Sequence, residues 1–287
     1  MTAHLPLIAD IANPQLTQAL QHKLDHKTKP LGSLGRLEQL ALRLGQIQGT
    51  ASPDLQQPQM VVFAGDHGLA ARGVSAFPSD VTWQMVENFL AGGAAVSVLA
   101  RQHGLALTVV DCGVARDIAP RAAVPGQPQL LVRKVAAGTQ DASIGPAMTP
   151  AQCAQALHNG MDVVRGLPGN ALLLGEMGIG NTSVASLLLA RLCGVSLEDC
   201  TGAGTGLDAG GVARKRAVLA QALAANEGAV NPLDALAALG GFEVATLVGA
   251  VLQASSERRV IVVDGFITSA AVLVAARLQP HVLQRCV

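Results

Sequence analysis

The sequence is poor in aromatic residues and in charge. Only 2% of the 287 residues are aromatic, five of them phenylalanine and one tryptophan, and 14% are charged. So few rings give no basis for the stacking platforms that bind single-stranded nucleic acids. Lysine plus arginine and aspartate plus glutamate both number 20, so no excess of positive charge indicates a phosphate backbone as partner. We therefore predict no nucleic-acid partner.

Metal-binding and disulfide patterns are also lacking. The five cysteines are scattered and form no Cys-x-x-Cys pair, which argues against a zinc site and against a disulfide framework. His22 and His26 have helical spacing, but no acid is placed between them as in a His-Glu-x-x-His zinc helix. We interpret this pair as part of a solvated helix face and expect no metal.

Two long apolar stretches, residues 235–252 and 260–278, each contain an acid, Glu243 in the first and Asp264 in the second. Because a carboxylate in a lipid bilayer is costly, both stretches are predicted to be protein core and not membrane spans. Residues 1–9 lack the basic region, apolar run and cleavage site of a secretory leader. We expect a cytoplasmic protein with no membrane partner.

The first 50 residues are predicted to form two helices. Residues 14–27 form the first, and the turn from Lys29 to Gly32 leads to a capping residue, Ser33. The second helix has apolar residues at the three-to-four spacing that predicts one buried stripe. These residues are Leu34, Leu37, Leu40, Leu44 and Ile47.

From residue 60 onward, short apolar runs alternate with helical patterns. Strands are predicted at 60–64, 105–111, 129–135, 171–175 and 260–263. Helices are predicted from Ser79 or Asp80 toward Arg101 with an interruption at Gly92 and Gly93, after Thr149, at 181–192 and 267–278, and from Asn231 through Glu243. Strands that are apolar on both sides need both faces of the sheet covered. The predicted fold class is therefore α/β, a doubly wound, mainly parallel, Rossmann-like sheet with helices on both faces.

Three predicted strands lead into acids, Asp66, Glu176 and Asp264. In a doubly wound sheet, ligands bind beyond the carboxyl ends of the strands, so these acids are candidate site residues. An acid at such a place also serves simply as the cap of the next helix. Both interpretations stay open for each acid taken alone.

Glu176 is followed by Met177-Gly-Ile-Gly-Asn-Thr182 and then by a predicted helix. Glycines let backbone amides turn toward a ligand, and the amino end of a helix carries partial positive charge, so this turn suits a phosphate. The segment lacks the third glycine of a dinucleotide fingerprint, and no Gly-Lys-Ser/Thr phosphate loop occurs. A dehydrogenase and a nucleoside triphosphatase are therefore disfavoured.

A second glycine cluster, Gly202, Gly204 and Gly206, precedes Asp208 and the basic run Arg214-Lys215-Arg216. A lysine one or two helical turns beyond such a cluster makes a plausible phosphate clamp, although tight turns alone also explain the glycines.

The segment 73–78 carries Phe77, and Gln84 follows in the next helix. An apolar slot with one amide suits a flat heteroaromatic ring, with ordinary loop packing as the alternative.

Several motifs occur in the order typical of one enzyme family. They are Lys29-Pro-Leu-Gly-Ser-Leu-Gly-Arg-Leu-Glu38, Gly65-Asp-His-Gly68, Gly73-Val-Ser-Ala-Phe-Pro78, Glu176-Met-Gly-Ile-Gly-Asn-Thr182, Gly202-Ala-Gly-Thr-Gly-Leu-Asp208 and Val263-Asp-Gly-Phe-Ile267. The chain resembles, over essentially its whole length, the nicotinate-nucleotide–dimethylbenzimidazole phosphoribosyltransferases of cobalamin biosynthesis. The resemblance implies transfer of 5-phosphoribosyl from nicotinate mononucleotide to 5,6-dimethylbenzimidazole, which gives α-ribazole 5′-phosphate and nicotinate with inversion at the anomeric carbon.

The resemblance also implies no cofactor, a homodimer and a set of site residues. Glu176 matches an active-site acid near the ribose or the base. Gly178, Ile179, Gly180, Asn181 and Thr182 match the 5′-phosphate turn, with Lys215 as its counter-charge. The benzimidazole pocket matches Ser75, Phe77, Pro78 and Gln84, and the remaining substrate-binding candidates are Gly202, Gly204, Asp208 and Asp264.

One part of the family pattern does not occur before the final residue, Val287. In the family, a glutamate in a Gly-Glu-Gly segment near the carboxyl end acts as the general base, and C-terminal helices complete a small domain. Residues 1–50 are accordingly expected to be part of a small helical domain whose C-terminal half is missing, and residues 51–287 to form the α/β domain. The alternative function is a truncated homologue, non-catalytic or impaired, that only binds the mononucleotide or the benzimidazole.

Overall fold

The computed structural model describes residues 4–287, so the first three residues of the 1–9 segment, which lacks a leader pattern, lie outside the described part. Five strands occur where the sequence predicts them, and helices separate them everywhere except between the second and the third. The strands are β1 (Gln59–Gly65), β2 (Ala106–Gly113), β3 (Gln129–Val132), β4 (Ala171–Met177) and β5 (Val260–Val262). The helices are α1 (Pro14–Asp25), α2 (Arg36–Gln48), α3 (Asp80–Leu90), α4 (Ala95–Gln102), α5 (Pro150–Arg165), α6 (Asn181–Cys193), α7 (Leu197–Cys200), α8 (Ala209–Ala225), α9 (Pro232–Leu239), α10 (Phe242–Ser256) and α11 (Phe266–Leu278).

All five strands are parallel and form one sheet in the order β3-β2-β1-β4-β5. The chain runs from β1 outward through β2 to β3, and then crosses to the other side of β1 for β4 and β5. The direction of winding therefore reverses between β1 and β4. Such a reversal separates the loops at the carboxyl ends of the two strands and opens a crevice there.

Both faces of the sheet are covered, which confirms the doubly wound α/β class. Along β1, Val61 and Phe63 join the core under α5, α10 and α11, whereas Val62 and Ala64 join a second core under α3 and α4. This alternation follows from the two-residue period of a strand. A strand buried on both sides must be apolar at every position, and this requirement explains the continuous apolar run that predicts β1.

Helix α10 lies in the larger core and crosses α5 at very short range. A Cβ atom added at Gly160 of α5 would lie 1.8 Å from the Thr246 carbonyl oxygen, and one at Gly249 of α10 would lie 2.0 Å from the Leu157 carbonyl oxygen. The two glycines therefore permit the helix backbones to touch. This contact fixes the first turn of α10, which carries Glu243.

The predicted helix from Asn231 through Glu243 is in fact two helices. Asn231 does cap α9, its side chain accepting from the Asp234 amide at 2.9 Å, but α9 ends at Leu239, and Glu243 belongs to α10. Gly240 and Gly241 adopt extended conformations between the two helices. A Cβ atom at Gly241 would lie 2.3 Å from Cε1 of His67, so the break brings the chain against the end of β1.

Helices α1 and α2 pack on each other and reach the amino ends of β4 and β5, where Ile11 and Ile47 contact Ala171 and Val260. The prediction of one buried stripe on α2 is wrong at its amino-terminal end. Leu34, Leu37 and Leu40 are 51%, 63% and 40% exposed, and only Ile47 is fully buried. The predicted Ser33 cap is also wrong, because Gly35 is the N-cap of α2 and no side chain caps it.

The two longest apolar stretches are core, as predicted. Residues 235–252 and 260–278 lie mostly in the larger core, and Glu243 is completely buried there. In the described part of the chain, no helix has both the length and the apolar character needed to cross a bilayer.

Candidate active site at the switch point

The crevice between β1 and β4 receives polar side chains from both strands. Glu176 pairs in register with Phe63, so it lies within β4 itself and not beyond its end. Asp66 and His67 follow β1 directly and are 5% and 3% exposed. Asp66 and Glu176, two of the three acids predicted at strand ends, thus lie at the carboxyl ends of neighbouring strands, where an α/β sheet binds ligands. The third, Asp264, follows β5 and is exposed.

The turn from Met177 to Gly180 joins β4 to α6 and passes over the end of β1. A Cβ atom at Gly178 would lie 2.4 Å from the Gly65 carbonyl oxygen and 3.0 Å from Nε2 of His67, so only glycine permits this approach. Gly180, the N-cap of α6, has a φ of 98°, which favours glycine. The buried hydroxyl of Thr82 accepts a hydrogen bond from the Ile179 amide at 3.1 Å and anchors the turn.

The start of α6 presents backbone donors next to a buried lysine. Within residues 4–287, the amides of Gly180 and Thr182 donate to no backbone carbonyl, whereas the Ile179 amide is occupied by Thr82. Nζ of Lys215 lies 2.9 Å from Oγ1 of Thr182, and a Cβ atom at Gly204 would lie 3.3 Å from that Nζ. The sequence separates these elements by up to 35 residues, and the fold brings them together.

Lys215 is 1% exposed, and among the described residues no carboxylate lies within ion-pair distance of it. Burial lowers the pKa of its ammonium group. A buried cation without an anionic neighbour is costly unless an anion binds beside it. Together with the free amides and the positive end of α6, this cation makes the start of α6 suitable for binding a phosphate.

The sequence-based candidates omitted two residues of the site, His67 and Glu243. Nε2 of His67 lies 2.8 Å from Oε1 of Glu243, and the two side chains are 1% and 0% exposed. His67 lies in the Gly65-Asp-His-Gly68 motif, and Glu243 is the one acid in the apolar stretch 235–252. An isolated acid in an apolar helix was the signal that could have identified Glu243, because a buried acid needs a partner.

Glu176 titrates in the neutral range. Burial, followed by the neighbouring charge of Glu243, raises the pKa of Glu176 to about 7, although the charge of His67 and a hydrogen bond from Asn181 lower it. Burial opposes the positive charge on His67, but Glu243, with Asp66 and Glu176, outweighs it and raises the pKa of His67. Acidic groups held near neutral pKa are typical of sites that exchange protons.

The predicted ring-binding segment and the second glycine cluster form the rim of the crevice. Oγ of Ser75 lies 3.2 Å from Oγ1 of Thr205, so the two loops are in contact. Phe77 is 50% exposed, and Pro78 and Gln84 are also exposed. Gly202 is exposed on the other loop. Asp208 accepts from the Gly211 amide at 2.7 Å and is the N-cap of α8, the helix that carries Lys215.

A groove of about 900 Å³ lies at the opposite edge of the sheet, where Gln59, Ala106 and Gln129 begin β1, β2 and β3. It is far from the acids and the lysine, and Arg101 is the one charged residue of its lining. The acids and the lysine therefore favour the crevice between β1 and β4, where the direction of winding reverses, as the site. In residues 4–287, no group of three or more histidine, cysteine, aspartate or glutamate residues is arranged to hold a metal ion.

The fold and the site define an α/β protein with a polar crevice at the switch point of a parallel sheet. A sequence profile of the DBI_PRT family, described as phosphoribosyltransferase, matches residues 10–287. The chain belongs to this family, and the resemblance inferred from the motifs is confirmed.

Individual relatives agree with the profile. The nicotinate-nucleotide–dimethylbenzimidazole phosphoribosyltransferase of Variovorax paradoxus is 70% identical over 283 residues, which are 99% of this chain and 79% of the relative. The protein of the same name from Cupriavidus taiwanensis is 54% identical, over 99% of this chain and 80% of its own length. The crystal structure of CobT from Thermus thermophilus superposes with a TM-score of 0.87 at 39% identity, covering 95% of this chain and 81% of that one.

Proposed function

We propose that the chain transfers the 5-phosphoribosyl group of nicotinate mononucleotide to 5,6-dimethylbenzimidazole, giving α-ribazole 5′-phosphate and nicotinate with inversion at the anomeric carbon. The relatives that cover 99% of the chain carry the name of this activity. The observation that carries the proposal is the buried Lys215 beside the start of α6, because the 5′-phosphate of a mononucleotide supplies the negative charge that a buried ammonium group requires.

The 5′-phosphate binds, in this proposal, to the amides of Gly180 and Thr182, to the Thr182 hydroxyl and to the Lys215 ammonium. The turn is shaped by Gly178, Ile179 and Asn181. The Ile179 amide does not donate to the ligand, because it already donates to Thr82. Gly204 leaves room for the phosphate beside Lys215, Gly202 lies exposed on the same loop, and Asp208 acts by capping the helix on which Lys215 lies. A fixed phosphate holds the ribose in one orientation, which is the main requirement of a displacement at its anomeric carbon.

The benzimidazole ring binds between the two rim loops, against Phe77 and Pro78, with Ser75 and Gln84 as polar contacts. Inversion requires that this ring attacks one face of the ribose while nicotinate leaves from the other. The ring therefore has to be held on the side opposite the departing base. The exposed ring of Phe77, with the Ser75 hydroxyl and the Gln84 amide nearby in the sequence, provides a binding surface for it.

Glu176 lies at the end of β4, directly before the turn that begins at Met177, and we assign it the catalytic role. The ribose develops positive charge as nicotinate leaves, and a carboxylate at this place stabilises that charge. The attacking benzimidazole loses its N–H proton in the reaction. A carboxyl group with a pKa of about 7 accepts such a proton at neutral pH. Asp264, exposed beyond β5, contributes a further polar group at the same edge of the sheet.

Release of nicotinate in the presence of both substrates tests the proposal. The reaction predicts that nicotinate appears only when 5,6-dimethylbenzimidazole is present, and that the ribose H1′ coupling of the product, measured by NMR, corresponds to the α-anomer. Saturable binding of both substrates without any product would contradict the enzyme and favour the alternative, a homologue that only binds them.

The active unit is proposed to be a homodimer in the cytoplasm. Sedimentation velocity at micromolar concentration should give twice the 29.3 kDa of one chain. A purely monomeric species under assay conditions would contradict the dimer.

A further inference from the structure

The ion pair between His67 and Glu243 joins two elements that are 176 residues apart in the sequence. His67 follows β1, and Glu243 lies in the first turn of α10, so the pair links the sheet to its most deeply buried helix. Removing two charges from water is costly, and an apolar pair of the same size is often as stable or more stable. The stability of the fold therefore does not explain why this position holds charged groups.

Three glycines enclose the pair and leave no space for another side chain. A Cβ atom at Gly65 would lie 2.9 Å from Oε2 of Glu243, one at Gly241 would lie 2.3 Å from Cε1 of His67, and one at Gly178 would lie 3.0 Å from Nε2 of His67. Gly178 belongs to the turn after β4 that begins one residue beyond Glu176. The pair thus lies directly beneath the proposed phosphate turn and beside Glu176.

Half of the hydrogen-bonding capacity of the pair is unused within the described residues. Nδ1 of His67 and Oε2 of Glu243 are both buried without a partner there. An unsatisfied buried polar atom costs free energy, so its presence next to a catalytic group points to a functional use.

We propose that His67 and Glu243 are positioning residues that set the ionisation of Glu176 through two opposed charges. The Glu243 carboxylate disfavours the ionised form of Glu176, and the His67 imidazolium favours it. Gly65, Gly178 and Gly241 hold both charges at fixed places beneath the turn, so the fold fixes the relative effect of the two charges on Glu176. For turnover this inference rests on the proposed function, but the ionisation of Glu176 is measurable in the free protein.

The charged groups near Glu176 and the His67–Glu243 pair come from several elements packed around them. Glu243 from α10 and His67 from the end of β1 act on Glu176, and Asp66 acts on His67. The buried Cys112 thiol of β2 also faces Glu243. Asp264 and Lys215 are not among the groups that shift the pKa of Glu176.

Carboxyl titration by ¹³C NMR tests the proposal, with the Glu176 signal assigned by its loss in Glu176→Gln. In His67→Gln the pKa of Glu176 should rise by about one unit, because the favourable cation is gone and the repulsive carboxylate remains. In Glu243→Gln it should fall by about one unit, because the repulsive carboxylate is gone. A merely structural role would shift both variants in the same direction or neither, and either result would overturn the proposal.

The double variant His67→Gln/Glu243→Gln removes both charges and keeps a neutral hydrogen-bonding pair of similar size. Its Glu176 should titrate within about half a unit of the parent, because the opposed effects cancel. Should the single variants fail to fold, the reciprocal measurement remains, since coupling between two sites acts equally in both directions. Glu176→Gln should lower the pKa of the His67 imidazole, observed by ¹⁵N NMR, and an unchanged value would contradict the inference.

The effect on catalysis distinguishes this inference from the proposed function. If the parent releases nicotinate, the acid limb of its kcat profile should move up in His67→Gln and down in Glu243→Gln, with KM for nicotinate mononucleotide changing less than threefold. If the parent shows no turnover, the proposed function fails, while the two titrations still decide the positioning role.

Discussion

Nζ of Lys215 lies 2.9 Å from Oγ1 of Thr182, so a lysine in the second turn of α8 reaches the first turn of α6. This contact joins the region of the second glycine cluster, residues 202–206, to the glycine turn before α6. It places one positive charge beside two free backbone amides at the positive end of a helix, in surroundings that exclude most water. An electrostatic interaction is stronger in such surroundings than at the surface.

The variant Lys215→Met should weaken the binding of nicotinate mononucleotide about 10- to 100-fold, because a hydrogen bond to a charged group is worth about 1.5–3 kcal/mol. Removal of an unpaired buried cation should leave the free energy of unfolding unchanged or increase it by about 1 kcal/mol. Isothermal titration calorimetry and urea unfolding measure the two effects. Arg216→Met, one residue further and partly exposed, is the matched control and should bind normally. Unchanged affinity in Lys215→Met would show that the phosphate lies elsewhere.

The stability of the protein should fall as the pH rises from about 5 to 7. Glu176 has a pKa of about 7 in the folded chain against an ordinary 4.5, so between these values the folded state binds more protons than the unfolded state. Its contribution is fully present below the unfolded pKa and is lost as the pH rises through the folded one. The raised pKa of His67 acts with the same sign.

Urea unfolding at intervals of half a pH unit measures this dependence, whose slope from Glu176 cannot exceed about 1.4 kcal/mol per pH unit. Glu176→Gln should reduce the slope in this window, because the amide binds no proton. A parent and variant with equal slopes would mean that Glu176 titrates normally.

Gly178→Ala should destabilise the fold by about 1–3 kcal/mol and abolish tight mononucleotide binding. The added methyl group would meet the Gly65 carbonyl oxygen at 2.4 Å, and because backbone atoms cannot rotate away, the turn has to move. Gly228→Ala is the control, since nothing lies within 4 Å of its added methyl group. Equal urea midpoints for the two variants would contradict the close approach between the turn and β1.

The exposed leucines before and within α2 should bind a hydrophobic dye. Leu31, Leu34, Leu37 and Leu40 are 40–74% exposed and lie within ten residues of one another, which makes an apolar surface of unusual density. Dye fluorescence should fall by at least half in Leu34→Gln/Leu37→Gln, with the free energy of unfolding changed by less than about 0.5 kcal/mol, because exposed side chains contribute little to stability. Negligible dye binding by the parent would contradict an open apolar surface.

Local physical chemistry made the strands, most helices and the glycine turn between β4 and α6 predictable. An apolar run such as 60–64 is uninterrupted because both of its faces are buried, and Thr149 with Pro150 starts α5 through the predicted cap, whose side chain accepts from the Gln152 amide. The three-to-four spacing of Leu34 and Leu37 does not by itself predict that they are exposed. A three-to-four spacing indicates which side of a helix is apolar, but the rest of the chain decides whether anything covers that side.

The sequence by itself determined the α/β class, the family and the Met177 turn, because these depend on short-range patterns and on motifs in a fixed order. Only the tertiary structure decided that His67 meets Glu243, that Lys215 reaches Thr182, and that Glu176 titrates near neutrality. Each of these depends on distances between residues far apart in the chain and on the exclusion of water around them. The winding of the sheet, the crossing of α5 and α10 and the packing of α6 against α8 set those distances, and no local pattern encodes them.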